Sequence, residues 1–586
     1  MAVKKIFKLT PLAALLMIAQ VSWAQPLGGF LPGSVLPEQV GKQLKREQVQ
    51  TQEEVTAPSL STPKPQETKL SAEAKKIKFK LNNIILVGNR HFSTEQLKPL
   101  YKDKLGKQIS VADLFGIVQS ITNYYRNNGY ILSRAILPPQ HVTGGNVRIQ
   151  VVEGTIGRVT VTGDPKGARC LVQAIGEQIG KCPPLELSRM ERYLLLENEI
   201  PGTQVKAVLE PSKSKTGAAD ISLVTQNKPI TGYASYDDYG TRYIGPQQMT
   251  GNLGLNSMIT SGDSTQFTFT KTPKGSELTY LDINYNMAIK DQGMRLIFGG
   301  TSVHTRPLYV LQPLKIDGLN SNYYINMQIP WIRTRSESLT WRINTNYLDS
   351  DVTADPLGLG EIPLYTDHLR SLGLGGTYNF ADRYYGSNLL SADVRQGLPI
   401  FGYTSNFNPE TAQTSRPGGR GTYTKIMATA ARMQAIKGPW SAYGLVSGQY
   451  AFNPLLASEQ FTFGGSQLGR GYDVAELIGD KGLAGSLELR YDLPVERFLV
   501  QSLQFYAFYD IGAVWNYLLI GDTPIKSSGA STGLGVRFFA TKYVSGNLMW
   551  TQVLTRSIAA LEQPTVDNMD QGRTPRVFFS IVASLQ

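Results

Sequence analysis

The chain has 586 residues, too many for one hydrophobic core, so several domains are expected. Charged residues make up only 18% of it, while glycine (57) and tyrosine (29) are abundant, a composition that favours a β-barrel. The net charge of +12 does not indicate nucleic-acid binding, because no nucleic-acid-binding motif accompanies it; a basic lumen or contact with acidic lipid headgroups accounts for it instead.

The N-terminus predicts an export signal. Residues 4–8 are rich in lysine, Leu12–Val21 is a short apolar run, and Ser22–Ala24 matches a small-x-small cleavage site. The apolar run is too short to span a bilayer as a helix. We therefore expect residues 1–24 to be a signal peptide and the mature chain to begin at Gln25.

A short helix and a linker are predicted next. Pro37 suits the first turn of a helix, and Val40 and Leu44, four residues apart, lie on one helical face. Residues 25–50 are thus expected to form an N-terminal segment with one helix. Residues 51–76 are rich in Pro, Ser, Thr, Glu and Lys, a composition typical of a flexible linker.

An internal repeat follows over residues 77–228. Both copies, 77–154 and 155–228, show the order strand, helix, helix, strand, strand, which is enough for a small α+β core of one sheet and two helices. In the first copy Ser93 and Ser110 are the predicted helix N-caps.

The second copy contains the two cysteines of the chain, Cys170 and Cys182. In an exported protein a pair this close predicts one disulfide, worth on the order of 3 kcal/mol, and two free buried thiols are the alternative. The bond would join the start of one predicted helix to the loop before the next. A metal site is not expected, because no histidine lies nearby.

The pattern changes to a period of two over residues 229–586. Leu339 and Trp341, for example, alternate with Thr340 and Arg342, so one face of each segment is apolar and the other polar. About 16 such segments predict a membrane barrel of antiparallel strands whose apolar face meets lipid and whose polar face lines a wet lumen. Past the signal peptide no segment approaches the roughly 20 apolar residues of a membrane helix.

One long interruption of this pattern, residues 453–482, carries the motif Arg470-Gly471-Tyr472. A later strand carries the second motif, which includes Asp510, and the alternation of the two faces places Asp510 on the lumenal side. A loop folded into the lumen would bring Arg470 to Asp510 as a bidentate ion pair, whereas a surface loop with a solvated arginine is the alternative. The six candidate residues of the two motifs are Arg470, Gly471, Tyr472, Phe508, Asp510 and Gly512.

This order of elements, together with the two motifs, resembles the TpsB transporters of two-partner secretion, the hemolysin-activation and secretion proteins. The resemblance covers essentially the whole mature chain. It implies that the two repeats are periplasmic POTRA domains and that the predicted helix at Pro37, Val40 and Leu44 plugs the pore. It also strengthens the expected pairing of Arg470 with Asp510.

The resemblance further implies a function. An unfolded exoprotein of the TpsA type would be recognised through its N-terminal secretion domain by the POTRA domains and exported through the barrel, which would be a monomer in outer-membrane lipid. No nucleic acid, metal or cofactor is expected. The identity of the exoprotein stays open: an adhesin, a cytolysin, a contact-dependent toxin or a metal-acquisition protein.

Three other functions compete with secretion. A BamA-like assembly factor shares the barrel and the arginine loop, but usually has more POTRA domains and no tethered helix. A passive porin would not need POTRA domains. An enzyme is not predicted, because the four histidines are scattered and no nucleophile elbow or metal-spaced cluster accompanies them.

Overall fold

A computed structural model describes most of the chain beyond the export signal. The described residues are 31–51, 60–61, 77–215, 217–273, 275–356, 358, 360–405, 413–416, 418–497, 500–517, 526–555 and 574–585. The predicted signal peptide and most of the predicted linker lie outside these residues. None of the helices in the described part is long and apolar enough to span a membrane.

The α-helices precede the barrel. They are Pro37–Thr51 (α1), Thr94–Leu97 (α2), Val111–Asn127 (α3), Arg169–Gly180 (α4) and Leu187–Asn198 (α5). The strands that precede the barrel are Leu60–Ser61 (β1), Lys78–Lys80 (β2), Asn83–Val87 (β3), Gln108–Ser110 (β4), Arg134–Ile136 (β5), Asn146–Val152 (β6), Thr155–Asp164 (β7), Thr203–Pro211 (β8) and Ala218–Asn227 (β9).

The first α+β unit, residues 77–154, is a sheet in the order β3-β6-β5 with α3 packed on it. Helices α2 and α3 both begin where the sequence predicts. Ser93 and Ser110 each accept a hydrogen bond from the backbone N–H three residues later, and each forms a capping box. The predicted first strand is broken in two, because Leu81 turns inward and is fully buried in the core between β2 and β3.

The second α+β unit, residues 155–228, has the predicted element order and a sheet in the order β8-β9-β7. Helices α4 and α5 cover this sheet with Val172, Ile175 and Leu194. One feature was not predicted: the linker residues of β1 pair in parallel with the β8 edge, Leu60 opposite Ala207.

Cys170 and Cys182 are free, exposed thiols, so the predicted disulfide is wrong. Cys170 lies in the first turn of α4, and Cys182 lies just beyond its last residue. At 1.5 Å per residue the helix holds the two Cα atoms roughly 18 Å apart, whereas a disulfide needs about 4.4–6.8 Å. Closeness in sequence was misleading because a straight helix separates the pair.

A closed barrel of sixteen antiparallel strands follows, which confirms the predicted fold class. Its strands are Ile230–Asp237 (β10), Gln248–Asn256 (β11), Ser264–Lys271 (β12), Leu278–Ile289 (β13), Met294–Thr305 (β14), Asp317–Arg333 (β15), Glu337–Ala354 (β16), Ile362–Ala381 (β17), Gly386–Gly397 (β18), Thr424–Lys437 (β19), Trp440–Ala451 (β20), Lys481–Arg497 (β23), Val500–Trp515 (β24), Lys526–Phe539 (β25), Val544–Val553 (β26) and Arg576–Leu585 (β27). Closure is made by β10 against β27, with Tyr233 opposite Ser584.

The barrel wall alternates as the period of two predicts. On β23 Leu487 is 61% exposed, while its neighbour Glu488 is 4% exposed. On β24 Tyr509 and Ile511 face outward, while Asp510 between them is fully buried. The polar side chains therefore point into the barrel and the apolar ones form its outer surface.

The second unit is docked on the barrel end where the short turns lie, which we call the near rim; the opposite end is the far rim. Glu199 on α5 pairs with Arg333 at the end of β15, with 2.7 Å between Oε1 and Nε. Arg192 donates to the carbonyl oxygens of Trp331 and Pro330 at 2.8 and 2.9 Å. These contacts hold the second unit beneath one side of the barrel mouth.

Candidate functional site

The predicted motif loop lies inside the barrel. Residues 452–480 leave β20 at the far rim, return into the lumen, and form a small hairpin of Phe461–Phe463 (β21) and Leu477–Gly479 (β22). Phe463 is fully buried and packs with Tyr472, Leu477 and Val514. The loop therefore has an apolar core of its own against the lumenal face of the barrel wall.

Arg470 at the tip of this loop is held by the wall. Its Nε and Nη2 donate to the two carboxylate oxygens of Asp510 at 2.9 and 2.7 Å, a bidentate pair. Asp510 also accepts from the backbone N–H groups of Gly469 and Arg470 at 3.1 and 2.9 Å. Arg470 is 4% exposed and Asp510 is not exposed at all, so the pair is shielded from water.

Two further partners of Arg470 were not predicted as site residues. Its Nη1 donates to Glu488, and its Nη2 donates to Ser486 Oγ at 2.7 Å. The guanidinium lies 3.6 Å from the centre of the Phe508 ring, a cation–π contact. Glu488 lies on the polar face of β23. The alternation of apolar and polar residues along this strand is the sequence signal that points to it.

Glu488 links Arg470 to a wider network. It also binds Arg490 at 2.7 Å and Arg537 at 3.2 Å. Two carboxylates thus face three arginines in this part of the lumen, which gives each buried charge at least one opposite charge. A buried ion pair of this kind stabilises one arrangement of the loop strongly once formed, because separating its members strands a charge away from water.

The motif glycines are explained by close contacts. Gly471 has a φ of +99°, which other residues rarely adopt, and a Cβ there would lie 2.9 Å from Thr551 Oγ1. A Cβ on Gly512 would lie 2.4 Å from the Phe463 ring. The loop approaches the wall so closely that only glycine fits at these two positions.

The loop is also fastened to the last strand. Arg576 on β27 donates to the Gly471 carbonyl at 3.0 Å and to Asp473 at 2.8 Å. Tyr472 is buried, and its hydroxyl donates to the Ala530 carbonyl at 3.2 Å. The loop tip is consequently bonded to β23, β24, β25 and β27.

Helix α1 lies in the same lumen. Val40 and Leu44 are buried and belong to an apolar cluster with Tyr280 and Val303 of the barrel wall. A Cβ on Gly41 would lie 2.8 Å from Val303 Cγ2, so the helix backbone touches the wall. At about 1.5 Å per residue a helix of this length spans roughly 22 Å, most of a membrane core.

Polar contacts hold α1 near both ends of residues 37–45, the part of the helix whose side chains are described. Glu38 accepts from Ser350 Oγ at 2.9 Å and from the Tyr365 hydroxyl at 3.2 Å. Lys45 lies 3.8 Å from Asp282 Oδ1 and its side chain is 39% exposed. Pro37 touches Gly318 at the far end of β15, so the helix starts near the far rim and runs toward the near rim.

In the described part of the chain, no group of three or more His, Cys, Asp or Glu side chains is arranged so that it could hold a metal ion. The site consists instead of a loop and a helix that together occupy a pore.

Known outer-membrane transporters resemble this chain in sequence. The model of the POTRA domain, ShlB-type, matches residues 79–154. The heme/hemopexin transporter protein HuxB of Haemophilus influenzae (strain 86-028NP) is 23% identical over 444 residues, 74% of this chain and 76% of that protein. The outer membrane transporter CdiB of Dickeya dadantii (strain 3937) is 24% identical over 452 residues, 72% of this chain and 73% of that protein.

Solved structures agree on the fold. CdiB from Escherichia coli has a TM-score of 0.70 at 17% identity and covers 94% of this chain and 98% of its own. CdiB from Acinetobacter baumannii has a TM-score of 0.62 at 17% identity, with 95% and 100% covered. The model of the haemolysin secretion/activation protein ShlB/FhaC/HecB matches residues 217–537, more than half of the chain. The chain therefore belongs to this family, the outer-membrane transporters of two-partner secretion, with a POTRA region in the periplasm and no enzymatic activity.

Proposed function

We propose that the structure is the closed, resting state of a transporter that exports an unfolded exoprotein of the TpsA type, and that α1 leaves the lumen during export. The observation that carries this proposal is the position of α1, which fills the lumen beside the motif loop. An unfolded chain needs the space that the helix occupies. The near rim is then the periplasmic rim and the far rim the extracellular one.

The contacts of α1 suit a removable plug. Its apolar side is short, formed by Val40 and Leu44 with the residues before the helix, and its ion pair at Lys45 is long and partly exposed. At 3.8 Å this single contact between a partly exposed lysine and a buried carboxylate is weaker than the bidentate pair of Arg470, although Lys45 also lies 3.3 Å from the centre of the Tyr324 ring. Residues 51–76 have the composition of a flexible linker, and Leu60 and Ser61 within it pair with the β8 edge in this state. A flexible chain of 25 residues has a root-mean-square reach of about 25–30 Å, so release of β1 would let α1 swing into the periplasm while it stays attached.

The contacts of the motif loop suit a fixed element. Arg470 makes charged hydrogen bonds to two carboxylates inside the wall, and separating such a pair costs about 3–5 kcal/mol. We propose that residues 453–482 stay docked while α1 moves, so that the loop forms one wall of the open passage.

The two small units are proposed to capture the exoprotein. We propose that residues 155–228 form a second POTRA domain, since their element order repeats that of the first unit. Both sheets have edge strands, β5 in the first and β7 in the second, and an extended segment adds to such an edge through backbone hydrogen bonds. The N-terminal secretion domain of the exoprotein would bind in this way, to a monomeric transporter.

A reversible lock on α1 tests the proposal. Gly41→Cys and Val303→Cys, in a background with Cys170→Ser and Cys182→Ser, place two thiols where helix and wall already touch. We expect oxidised cells to lose export of the partner exoprotein and a reducing agent to restore it, because only the oxidised helix is held in the pore.

The single Gly41→Cys variant is the matched control and is expected to export under both conditions. Planar-bilayer conductance gives a second readout: deletion of residues 31–51 is expected to turn small, flickering currents into large, steady ones. Normal export through a fully oxidised, locked helix would contradict the plug.

A further inference from the structure

A row of outward side chains at the far rim has no part in the lumenal site. Lys481 is the first residue of β23, Trp515 the last of β24 and Lys526 the first of β25. Lys481 is paired with Trp515, and Trp515 with Lys526, so the three lie side by side at one height. Tyr450, on the neighbouring strand β20, continues the row. We call these four residues the far-rim row.

The row marks the upper edge of the apolar outer surface. Below it on the same strands, Leu483, two residues from Lys481, is 55% exposed and Ile511, four residues from Trp515, is 53% exposed. Trp515 and Tyr450 themselves are 37% and 49% exposed on this outer wall. Aromatic side chains at such a boundary lie at the level of lipid headgroups, and lysines there extend their ammonium groups to the same level.

The lysines are oriented by the aromatic rings. The Lys481 ammonium lies 4.4 Å from the centre of the Tyr450 ring and 4.3 Å from that of Tyr517. The Lys526 ammonium lies 5.7 Å from the centre of the Trp515 ring. Cation–π contacts hold both charges close to the wall without neutralising them.

The outer wall on the other side of the barrel is different. There three basic groups have carboxylate partners, and two of them share one: Asp317 lies 2.6 Å from His304 and 2.8 Å from Arg306. Asp349 lies 2.6 Å from His368.

At the far-rim row neither lysine forms an ion pair within the described part of the chain. The carboxylate next in sequence, Asp480, is fully buried, and it accepts hydrogen bonds from Arg416 and from the Tyr517 backbone N–H. Among the described residues, the row therefore keeps two positive charges at headgroup level without a carboxylate partner.

We propose that the far-rim row binds the phosphate groups of an anionic glycolipid headgroup in the outer leaflet. Lys481 and Lys526 are two strands apart, about 10 Å between Cα atoms, and flexible side chains of this length reach two phosphates on one headgroup. The indole of Trp515 between them packs against the sugar or the first acyl carbons. Basic side chains at headgroup level beside an apolar wall attract anionic headgroups of this kind.

The test uses the purified full-length protein in detergent, titrated with lipid A that carries two phosphates. Each basic side chain at a lipid surface contributes about fivefold in affinity, so Lys481→Gln with Lys526→Gln is expected to raise the Kd about thirtyfold. Lys271→Gln with Lys542→Gln is the matched control. It also removes two positive charges and one lysine–aromatic contact, Lys542 over Tyr543, but these residues lie on opposite rims.

Three outcomes would overturn the proposal: no measurable binding by the unaltered protein, equal losses in the two double variants, or an unchanged Kd in the far-rim variant. Inorganic phosphate is the second probe. If it competes at the same concentration as lipid A, the site binds free phosphate and the assignment to a lipid is wrong. Lipid A with a single phosphate is expected to bind with an intermediate Kd.

Discussion

The motif loop and helix α1 fill the same lumen but are held by different forces. The loop is fixed by Arg470, which is buried with two carboxylates and a serine hydroxyl. The helix is held by a few apolar side chains, by hydroxyl groups on Glu38, and by a long ion pair at Lys45. The comparison supports the proposal that the loop is permanent and the helix removable, because the loop has more buried opposite charges than the helix has.

The largest effect is expected at Arg470. Arg470→Ala leaves Asp510 and one side of Glu488 unpaired in the wall, at a cost of about 3–5 kcal/mol. We expect the loop to detach and secretion per inserted barrel to fall sharply, measured as exported partner divided by heat-modifiable barrel in the outer membrane.

Arg490→Ala is the control, since its ion pair is with Glu488 and its other contacts, Met433 Sδ at 3.8 Å and the Tyr443 ring at 4.6 Å, lie outside the motif loop. Asp510→Ala and the double variant complete a mutant cycle. If the double variant is as impaired as the sum of the two single ones, the pair is not coupled and the contrast between loop and helix fails.

A smaller effect is expected from Gly512→Ala. The added methyl group meets the Phe463 ring at 2.4 Å, and such overpacking costs about 1–3 kcal/mol. Loop docking should weaken, seen as faster proteolysis within residues 453–482. Gly251→Ala on β11, where a Cβ meets no atom within 4 Å, is expected to have no effect. Equal proteolysis of the two variants would show that the close approach of Phe463 does not matter.

Glu38→Gln tests the weaker side of the comparison. The amide keeps the size of the side chain but accepts weaker hydrogen bonds from Ser350 and Tyr365 than a carboxylate does, a loss of about 1 kcal/mol. We expect the open fraction in planar bilayers to rise about fivefold. Glu361→Gln, an exposed carboxyl beside the far rim, is the control. An effect of Glu38→Gln as large as that of Arg470→Ala would erase the distinction between plug and loop.

The narrowest effect, confined to the second unit, is expected at Glu197, a buried carboxyl whose two oxygens have no hydrogen-bond partner among the described residues. Burial raises the pKa of Glu197 well above its ordinary value. The folded state therefore binds more protons than the unfolded state, and the second unit loses stability as pH rises from the unfolded pKa toward the folded one.

Glu197→Gln should remove this pH dependence. We expect slower hydrogen exchange in α5 of the variant at pH 8 and no difference from the unaltered protein below about pH 4. Glu177→Gln, an exposed position on α4, is the control. Faster exchange in the Glu197→Gln variant at pH 8 would mean that the ionised carboxyl is stabilising.

The sequence by itself determined the local features of this protein. Alternation of apolar and polar residues was enough to predict the barrel, its sixteen strands and the lumenal side of Asp510. Ser93 and Ser110 were read as helix caps from three-residue spacing, and the structure shows both capping boxes. Each of these features depends on residues a few positions apart, which a periodic pattern records directly.

Only the tertiary structure decided which distant residues meet. Glu488 binds Arg470 because the loop returns into the lumen beside β23, and nothing in the spacing of the two residues specifies that path. Leu60 of the linker lies opposite Ala207 of β8, and the spacing of these two residues does not specify that contact either. Conversely, Cys170 and Cys182 are close in sequence but are held apart by α4. A helix separates Cα atoms twelve positions apart by roughly 18 Å, which is too far for a disulfide.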